Sequence, residues 1–178
     1  MSSTNVFVAG SRALSRLNDA VRVRLERIIS EGHHVLVGDA NGADKAIQQF
    51  LAGRHYQGVT VYCTGARCRN NVGHWPLVNV PPPDGIARGF DFCAAKDRAM
   101  AHRATHGFML WDGESRGTLT NIRNLIDQQR PVLVYLSPSR TFSTIRTESD
   151  LEQLRVRASS GGGEATSSRG PAGRARVR

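Results

Sequence analysis

Three short segments combine glycine with hydroxyl, carboxylate or guanidinium side chains, a mixture suited to holding an anion. They are residues 10–12 (GSR), 38–45 (GDANGADK) and 112–118 (DGESRGT). Glycine permits tight turns and close approach of backbone to a ligand. Free N–H groups at a helix start favour negative charge. The candidate ligand-binding residues are Gly10, Ser11, Arg12, Gly38, Asp39, Asn41, Gly42, Asp44, Gly113, Ser115, Gly117 and Thr118. Each segment also fits an ordinary turn between a strand and a helix. In the second segment, Asp44 would then cap its own helix.

A fourth segment, residues 96–100 (KDRAM), carries a lysine beside a carboxylate. It lies in a predicted helix over residues 90–104, whose start we expect near the ligand end of the fold. Lys96 is a candidate ligand-binding residue, and Asp97 is a candidate catalytic carboxylate. The alternative for Lys96 is an ordinary surface lysine.

Several common site types are not predicted. Neither a Walker loop nor a GxGxxG fingerprint is present. Cys63, Cys68 and Cys93 form no CxxC pair, so we expect no disulfide scaffold, no metal site and a reducing, cytoplasmic environment. No stretch approaches the roughly 18 apolar residues of a membrane helix, and no secretory signal is apparent. We predict no cofactor.

The elements that must position these segments alternate between short apolar runs and amphipathic stretches. Strands are predicted at residues 5–9, 35–37, 59–63, 108–111 and 132–136, with a weaker one at 141–145. Helices are predicted at residues 17–30, 43–51, 90–104, 119–129 and 148–154. Strands separated by helices predict an α/β protein with a doubly wound, mostly parallel sheet of five to six strands. Ligands bind beyond the carboxyl ends of such strands, where the three segments fall.

One long stretch, residues 64–89, is rich in Gly, Asn and Pro and is predicted to be irregular. It is too long for an ordinary connection, so we expect a lid or a ligand-shaping loop. Trp75 within it has two readings. It either stacks on a base or packs the loop onto the core.

The formal charge of +9 is concentrated towards the C-terminus. Residues 155–178 hold six arginines against one acid, Glu164, which leaves 18 basic and 14 acidic residues in the rest of the chain. We predict a single domain over residues 1–156 and a disordered Gly/Ser/Arg-rich tail over 157–178. The tail is either a flexible end or a nucleic-acid-binding arm. Aromatic residues make up only 6%, which disfavours a nucleic-acid groove.

The four segments, in this order, resemble the SLOG superfamily. That group includes the YspA-like proteins, the LONELY GUY phosphoribohydrolases and the Rossmann domain of the DNA-processing protein DprA. The likeness spans residues 6–136 and is nearest to the YspA-like branch, through VAGSR, GDANGAD and DGESRGT. Nucleoside deoxyribosyltransferases look similar in the last two motifs. The resemblance implies a Rossmann-like sheet that binds a nucleotide or nucleotide-sugar. It implies that Gly113, Gly117 and Thr118 hold the phosphate, and that Gly38, Asp39 and Gly42 help to hold the ligand.

The sequence departs from that family at its catalytic positions. The phosphoribohydrolase pattern GTxxE ends here in Asn121, and an upstream arginine–lysine pair reads Lys96-Asp97. An amide can bind a ribose hydroxyl, but it cannot act as a nucleophile or general base. Glycosidic cleavage would need another carboxylate. The candidates are Asp39, Asp44, Asp97, Asp112 and Glu114.

Three functions remain open at this point. The first prediction is that the chain binds or senses a nucleotide or a nucleotide-derived small molecule. The first alternative is an enzyme acting on the N-glycosidic bond of a nucleotide or nucleoside, with Asp97 and Asn121 as catalytic candidates. The second alternative is DprA-like binding of single-stranded DNA. No membrane partner is expected, and a homo-oligomer is left open.

Overall fold

Seven strands and five helices make up the part of the chain that the computed structural model describes, residues 4–160. The strands are β1 (Asn5–Gly10), β2 (His34–Gly38), β3 (Val59–Thr64), β4 (Leu77–Val80), β5 (His106–Trp111), β6 (Val132–Leu136) and β7 (Thr141–Ile145). The helices are α1 (Asp19–Ser30), α2 (Ala43–Gly53), α3 (Phe90–Arg103), α4 (Arg116–Ile126) and α5 (Glu148–Ser160).

The strands form one sheet in the order β4-β3-β2-β1-β5-β6-β7. All neighbouring strands are parallel except β6 and β7, which form an antiparallel pair. From β1 the chain builds outwards to β4 on one side and then returns to build β5, β6 and β7 on the other. The strand order therefore reverses between β1 and β5, where doubly wound sheets bind their ligands. The prediction of an α/β, doubly wound and mostly parallel sheet is confirmed.

The sheet has seven strands because β4 lies inside residues 64–89, which the sequence analysis treated as irregular. This strand is short and forms an edge of the sheet, and prolines 76 and 81 flank it. Leu77 is 41% exposed and Val78 is 38% exposed, so its apolar residues do not follow a burial pattern. Neither length nor periodicity distinguishes such a strand from a loop.

Apolar residues cover both faces of the central strands, which explains their continuous hydrophobic runs. On one face Phe7 and Met109 pack with Met100 of α3 and Ile122 of α4. The opposite face packs Val8 and Val37 with residues of α1 and α2, including Leu25 and Ile47. The two buried layers fix the sheet, and with it the loops at the carboxyl ends of its strands.

Several helix boundaries differ from those predicted, and the largest differences are in α4, which also ends at Ile126 instead of residue 129, and in α5. Helix α4 begins at Arg116 instead of residue 119, because the Ser115 side chain caps it. Helix α5 runs to Ser160 instead of residue 154, so the predicted domain boundary at residue 156 falls inside it. Residues 157–160 of the predicted tail are thus helical, and the rest of that tail lies outside the described residues. None of the helices in residues 4–160 combines the length and apolar character needed to cross a membrane.

Candidate functional site

A cavity of about 600 Å³ lies at the carboxyl ends of the central strands, between the loop after β1 and the first turns of α3 and α4. Nine of the predicted site residues line it: Gly10, Arg12, Asp44, Lys96, Asp97, Ser115, Gly117, Thr118 and Asn121. Four further residues, whose side chains are charged, aromatic or a thiol, also line it: Arg69, Phe90, Cys93 and Arg116. The loops and the helix that the sequence singled out therefore converge on one space.

The remaining predicted residues do not line this cavity; they are Ser11, Gly38, Asp39, Asn41, Gly42 and Gly113. Some of them shape its walls. The Ser11 hydroxyl donates to the Asp112 carboxylate, whose other oxygen accepts from the backbone N–H of Glu114 at 3.0 Å and of Ser115 at 2.7 Å. Burial alone would raise the pKa of Asp112, but these hydrogen bonds outweigh burial, so the pKa lies below its ordinary value. Ser11 thus ties the loop after β1 to the loop after β5.

Two glycines are required because other groups approach their backbone closely. A Cβ atom on Gly38 would lie 2.4 Å from Asp44 Oδ2 and 2.6 Å from Lys96 Nζ. Gly42 has φ of +82°, and a Cβ there would lie 2.2 Å from the carbonyl oxygen of Arg12. The glycines of GDANGAD therefore make room for a buried ion cluster and for the loop after β1.

The ion cluster centres on Lys96, which is only 4% exposed. Lys96 Nζ lies 2.8 Å from Asp97 Oδ1 and 3.9 Å from Asp44 Oδ2. Burial alone would lower the pKa of Lys96, but the carboxylates of Asp97 and Asp44 raise it above its ordinary value. Lys96 is therefore a buried ammonium, and its alternative reading as a surface lysine is wrong.

Asp44 has an unusual protonation equilibrium. Its carboxyl group is buried, and burial raises its pKa to about 6 even though the Lys96 ammonium opposes the shift. It accepts a hydrogen bond from the Ala40 backbone N–H at 3.2 Å. Its expected role as a cap of its own helix is wrong, because α2 begins after Gly42 without a side-chain cap.

The two catalytic candidates lie side by side. Asn121 Nδ2 donates to Asp97 Oδ2 at 3.3 Å, while Lys96 holds the other Asp97 oxygen. The Asp97 side chain is 18% exposed, on the wall of the cavity. A carboxylate fixed by an ammonium and an amide can accept hydrogen bonds from sugar hydroxyls or stabilise a developing positive charge.

The start of α4 faces the same cavity. Ser115 Oγ accepts from Thr118 N at 3.4 Å and from Thr118 Oγ1 at 3.1 Å, so these two residues, expected as phosphate donors, partner each other. Within residues 4–160 no acceptor is recorded for the backbone N–H groups of Arg116 and Gly117. A Cβ on Gly117 would meet no atom within 4 Å, so its backbone borders open space.

Two arginines add positive charge beside this turn. The Arg116 guanidinium lies over the Phe90 ring, 4.5 Å from its centroid, and Arg12 Nη2 lies 3.5 Å from Cys93 Sγ. In the described part of the chain neither arginine forms a salt bridge. Both guanidinium groups therefore keep their charge available to an anion at the first turn of α4.

Sequence reasoning missed Arg69, which lies in the irregular stretch where no periodicity marks it. Its Nη2 and Nε bind the two oxygens of Asp39 at 2.8 and 3.1 Å, and its backbone N–H adds a bond of 3.0 Å. Burial would raise the pKa of Asp39, but the bonds from Arg69 lower it. Asp39 is thus saturated by Arg69, which argues against its expected role as a direct ligand.

Trp75 belongs to the core. It is buried, and its Nε1 donates to the Tyr56 carbonyl at 2.8 Å. Of the two readings of this residue, packing is the one observed, and base stacking by Trp75 is wrong.

Two further observations bound the site. A separate cavity of about 420 Å³ lies at the opposite, amino edge of the sheet, and it contains none of the predicted site residues. In residues 4–160, no three His, Cys, Asp or Glu side chains come together in a way that could hold a metal ion.

Comparison with protein-family models and with curated proteins finds no match to this chain. The resemblance to the SLOG superfamily stays a prediction that rests on the four motifs.

Proposed function

We propose that this protein binds a nucleotide or nucleotide-sugar in the cavity at the carboxyl ends of β1 and β5, with its phosphate at the first turn of α4. One observation carries the proposal. Within residues 4–160, the N–H groups of Arg116 and Gly117 have no hydrogen-bond acceptor, and Arg12 and Arg116 form no salt bridge. These residues border the same space as the Asp97 carboxylate. Such a helix start is a ready anion site.

The part of the cavity wall one turn further along α4 suits a sugar. Asp97 accepts hydrogen bonds but carries a charge that repels phosphate, so a phosphate belongs at α4 and hydroxyl groups belong at Asp97. The Asn121 amide offers a further hydrogen-bonding group beside this carboxylate. An anion at the first turn of α4 and hydroxyl groups beside Asp97, one turn further on, describe a phosphorylated ribose.

Substituting Gly117→Val tests the phosphate position. The side chain would project into open space, so the fold should persist while the anion is displaced. We expect the affinity for a nucleoside monophosphate to fall about 10- to 100-fold, because hydrogen bonds to a charged group are lost. Isothermal titration calorimetry with a panel of nucleotides and a single-stranded oligonucleotide measures this.

Gly53→Val is the matched control, because Gly53 also lies in a helix, borders open space and is remote from the cavity. It should bind as wild type does. Wild-type affinity in Gly117→Val would place the phosphate elsewhere and overturn the proposal.

A second candidate, cleavage of the N-glycosidic bond, is favoured by the fixed position of Asp97 on the cavity wall. As the bond between ribose C1′ and the base nitrogen breaks, the electron pair leaves with the base, which takes up a proton, and C1′ becomes cationic. The Asp97 carboxylate would stabilise that cation, and water would add to C1′ and release a proton. Asn121 would hold Asp97 in place.

Mass spectrometry of nucleotides incubated with the protein tests this activity through the release of free base. Asp97→Asn should lower any base release about 100- to 10,000-fold, since it removes the stabilising charge. Asp91→Asn, at the exposed first turn of the same helix, is the control and should leave the rate unchanged. A nucleotide that stays intact with wild type excludes catalysis and leaves binding alone.

A further inference from the structure

A second cavity adjoins the first on the β3 side. It measures about 490 Å³, and Arg69, Cys93 and Lys96 border both cavities. The two cavities therefore adjoin at the first two turns of α3. A ligand anchored at α4 and Asp97 would reach the second cavity by passing Cys93.

The second cavity differs from the first in chemistry. Its surface is mainly apolar, and Gly65, Ala66, Ala87 and Phe92 line it together with Asp39, Thr64, Arg67 and the three shared residues. Gly65 has φ of +77°, and a Cβ there would lie 3.4 Å from Cζ of Phe92, so the aromatic ring lies against the turn that leaves β3. An aromatic ring among small residues suits a flat, weakly polar group rather than a second phosphate.

The outer wall of this cavity is held in place by hydrogen bonds. Besides the contacts of Arg69 to Asp39, Asn70 Nδ2 donates to the Asp39 carbonyl at 2.8 Å and to Asn41 Oδ1 at 3.0 Å. These bonds tie the loop after β3 to the loop after β2. The space next to Phe92 is therefore a preformed feature of the fold, which lowers the ordering cost of binding.

We infer that the cavity beside Phe92 is the subsite for the nucleobase, so the ligand is a nucleoside phosphate and not merely a phosphorylated sugar. This inference rests on the proposed function. The first cavity also has an aromatic ring, that of Phe90, but the Arg116 guanidinium already occupies one of its faces. Phe92 borders only the second cavity, beyond the wall that Cys93 and Lys96 share with the first, so the base of a nucleotide held at its phosphate would extend to it.

Two variants test the subsite by calorimetry with nucleoside monophosphates, ribose 5-phosphate and inorganic phosphate. Phe92→Ala removes the stacking ring, and Ala87→Trp fills the same cavity from an exposed position while leaving Phe92 intact. Wild type should bind one or more nucleoside monophosphates at least 10-fold more tightly than ribose 5-phosphate. Each variant should weaken nucleotide binding about 5- to 100-fold, the range found for base–aromatic stacking, and should leave ribose 5-phosphate binding unchanged. Phe50→Leu, a partly buried aromatic under Arg54 and remote from both cavities, controls for general destabilisation.

The outcomes separate the subsite from the phosphate site. Equal affinity of wild type for ribose 5-phosphate and for all nucleotides overturns the base subsite while the phosphate site stands. A preference for nucleotides that survives in both variants places the base elsewhere and also overturns it. If no phosphate-containing probe binds, the phosphate site fails, and the base subsite fails with it.

Discussion

Asp44 shows how burial sets the charge state of the candidate site. Its carboxyl group shares the Lys96 ammonium with Asp97, but at 3.9 Å instead of 2.8 Å. The weaker contact does not compensate for its complete removal from water, so its pKa stands at about 6. Asp44 is mainly protonated at pH 5 and mainly ionised at pH 8, where its negative charge makes the cavity wall less favourable to an anion.

Replacing Asp44 with asparagine should change the free energy of unfolding in a pH-dependent way. The folded-state pKa of Asp44 exceeds its unfolded value, so the folded protein binds the extra proton between about pH 4 and pH 6. Its contribution to stability is therefore present at pH 4 and is lost as the pH rises through 6. Relative to Asp44→Asn, wild type should lose on the order of 2 kcal/mol between pH 4.5 and pH 7.5.

Urea denaturation of both proteins at the two pH values measures this difference. Titration of carboxyl groups outside this ion cluster affects both proteins alike and cancels. An unchanged difference in unfolding free energy between pH 4.5 and pH 7.5 would show that Asp44 titrates in its ordinary range.

At the residue scale, the sequence located the site better than it assigned roles. Gly10 ends a strand, Gly117 lies shortly after one, and Lys96 lies in a helix predicted to start near the ligand end of the fold. All three could be placed because parallel strands bring their carboxyl ends together. The partners of Asp39 and Thr118 could not be predicted. Arg69 reaches Asp39 across 30 positions of sequence, and Ser115 uses its hydroxyl on Thr118 before any ligand is considered. Pairing of this kind depends on tertiary geometry that no spacing rule encodes.

At the scale of elements, the loop between β3 and β4 is a structured wall. Gln48 of α2 donates to the carbonyls of Gly38 and Asn70 at 2.8 and 3.1 Å and accepts from Val72 N–H at 2.9 Å. Together with Arg69, these bonds anchor the loop to α2 and to the end of β2. Arg69 of this loop borders both cavities, and the expectation of a lid or a ligand-shaping loop stays a prediction. Its fixed structure was unpredictable because side-chain bonds, not periodicity, impose it.

Arg69→Ala tests the strength of this anchor. Removing the guanidinium leaves the buried Asp39 carboxylate without its partner. Loss of one member of a buried pair costs roughly 3–5 kcal/mol, but Arg69 is 43% exposed, so we expect about 1–3 kcal/mol by urea denaturation at pH 7. Arg67→Ala, an exposed neighbour in the same loop without a salt bridge, should change stability by less than about 0.5 kcal/mol. In the Arg69→Ala background, Asp39→Asn should recover part of the loss, and failure to do so would argue against the buried charge as the cause.

At the scale of the whole molecule, the hydrophobic periodicity of the core elements predicted the doubly wound, mostly parallel sheet correctly. The elements at the edges of the fold could not be predicted from periodicity alone. The β1 and β5 strands are apolar throughout because helices cover both of their faces. Edge strand β4 and the end of α5 carry weaker signals, since only part of their surface is buried. The boundary predicted at residue 156 accordingly falls inside α5, which continues to Ser160.

Truncation measures where the domain ends. Leu151 and Leu154 of α5 are buried in the core, and Ala158 packs against it, close to the loop after β5, where a Cβ on Gly113 would lie 3.4 Å away. A chain ending at Leu154 would keep only about two turns of α5, with both leucines in fraying turns. We expect its Tm to fall by about 3–8 °C, which corresponds to a loss of about 1–2 kcal/mol. A chain ending at Ser160 keeps every one of these contacts, so its Tm should stay within about 2 °C of the full chain.

Differential scanning calorimetry of the full chain and the two truncated chains measures these Tm values. Equal Tm values for the two truncated chains would show that the last turns of α5 contribute nothing to the core. A large fall in Tm on ending at Ser160 would show that residues 161–178 stabilise the domain.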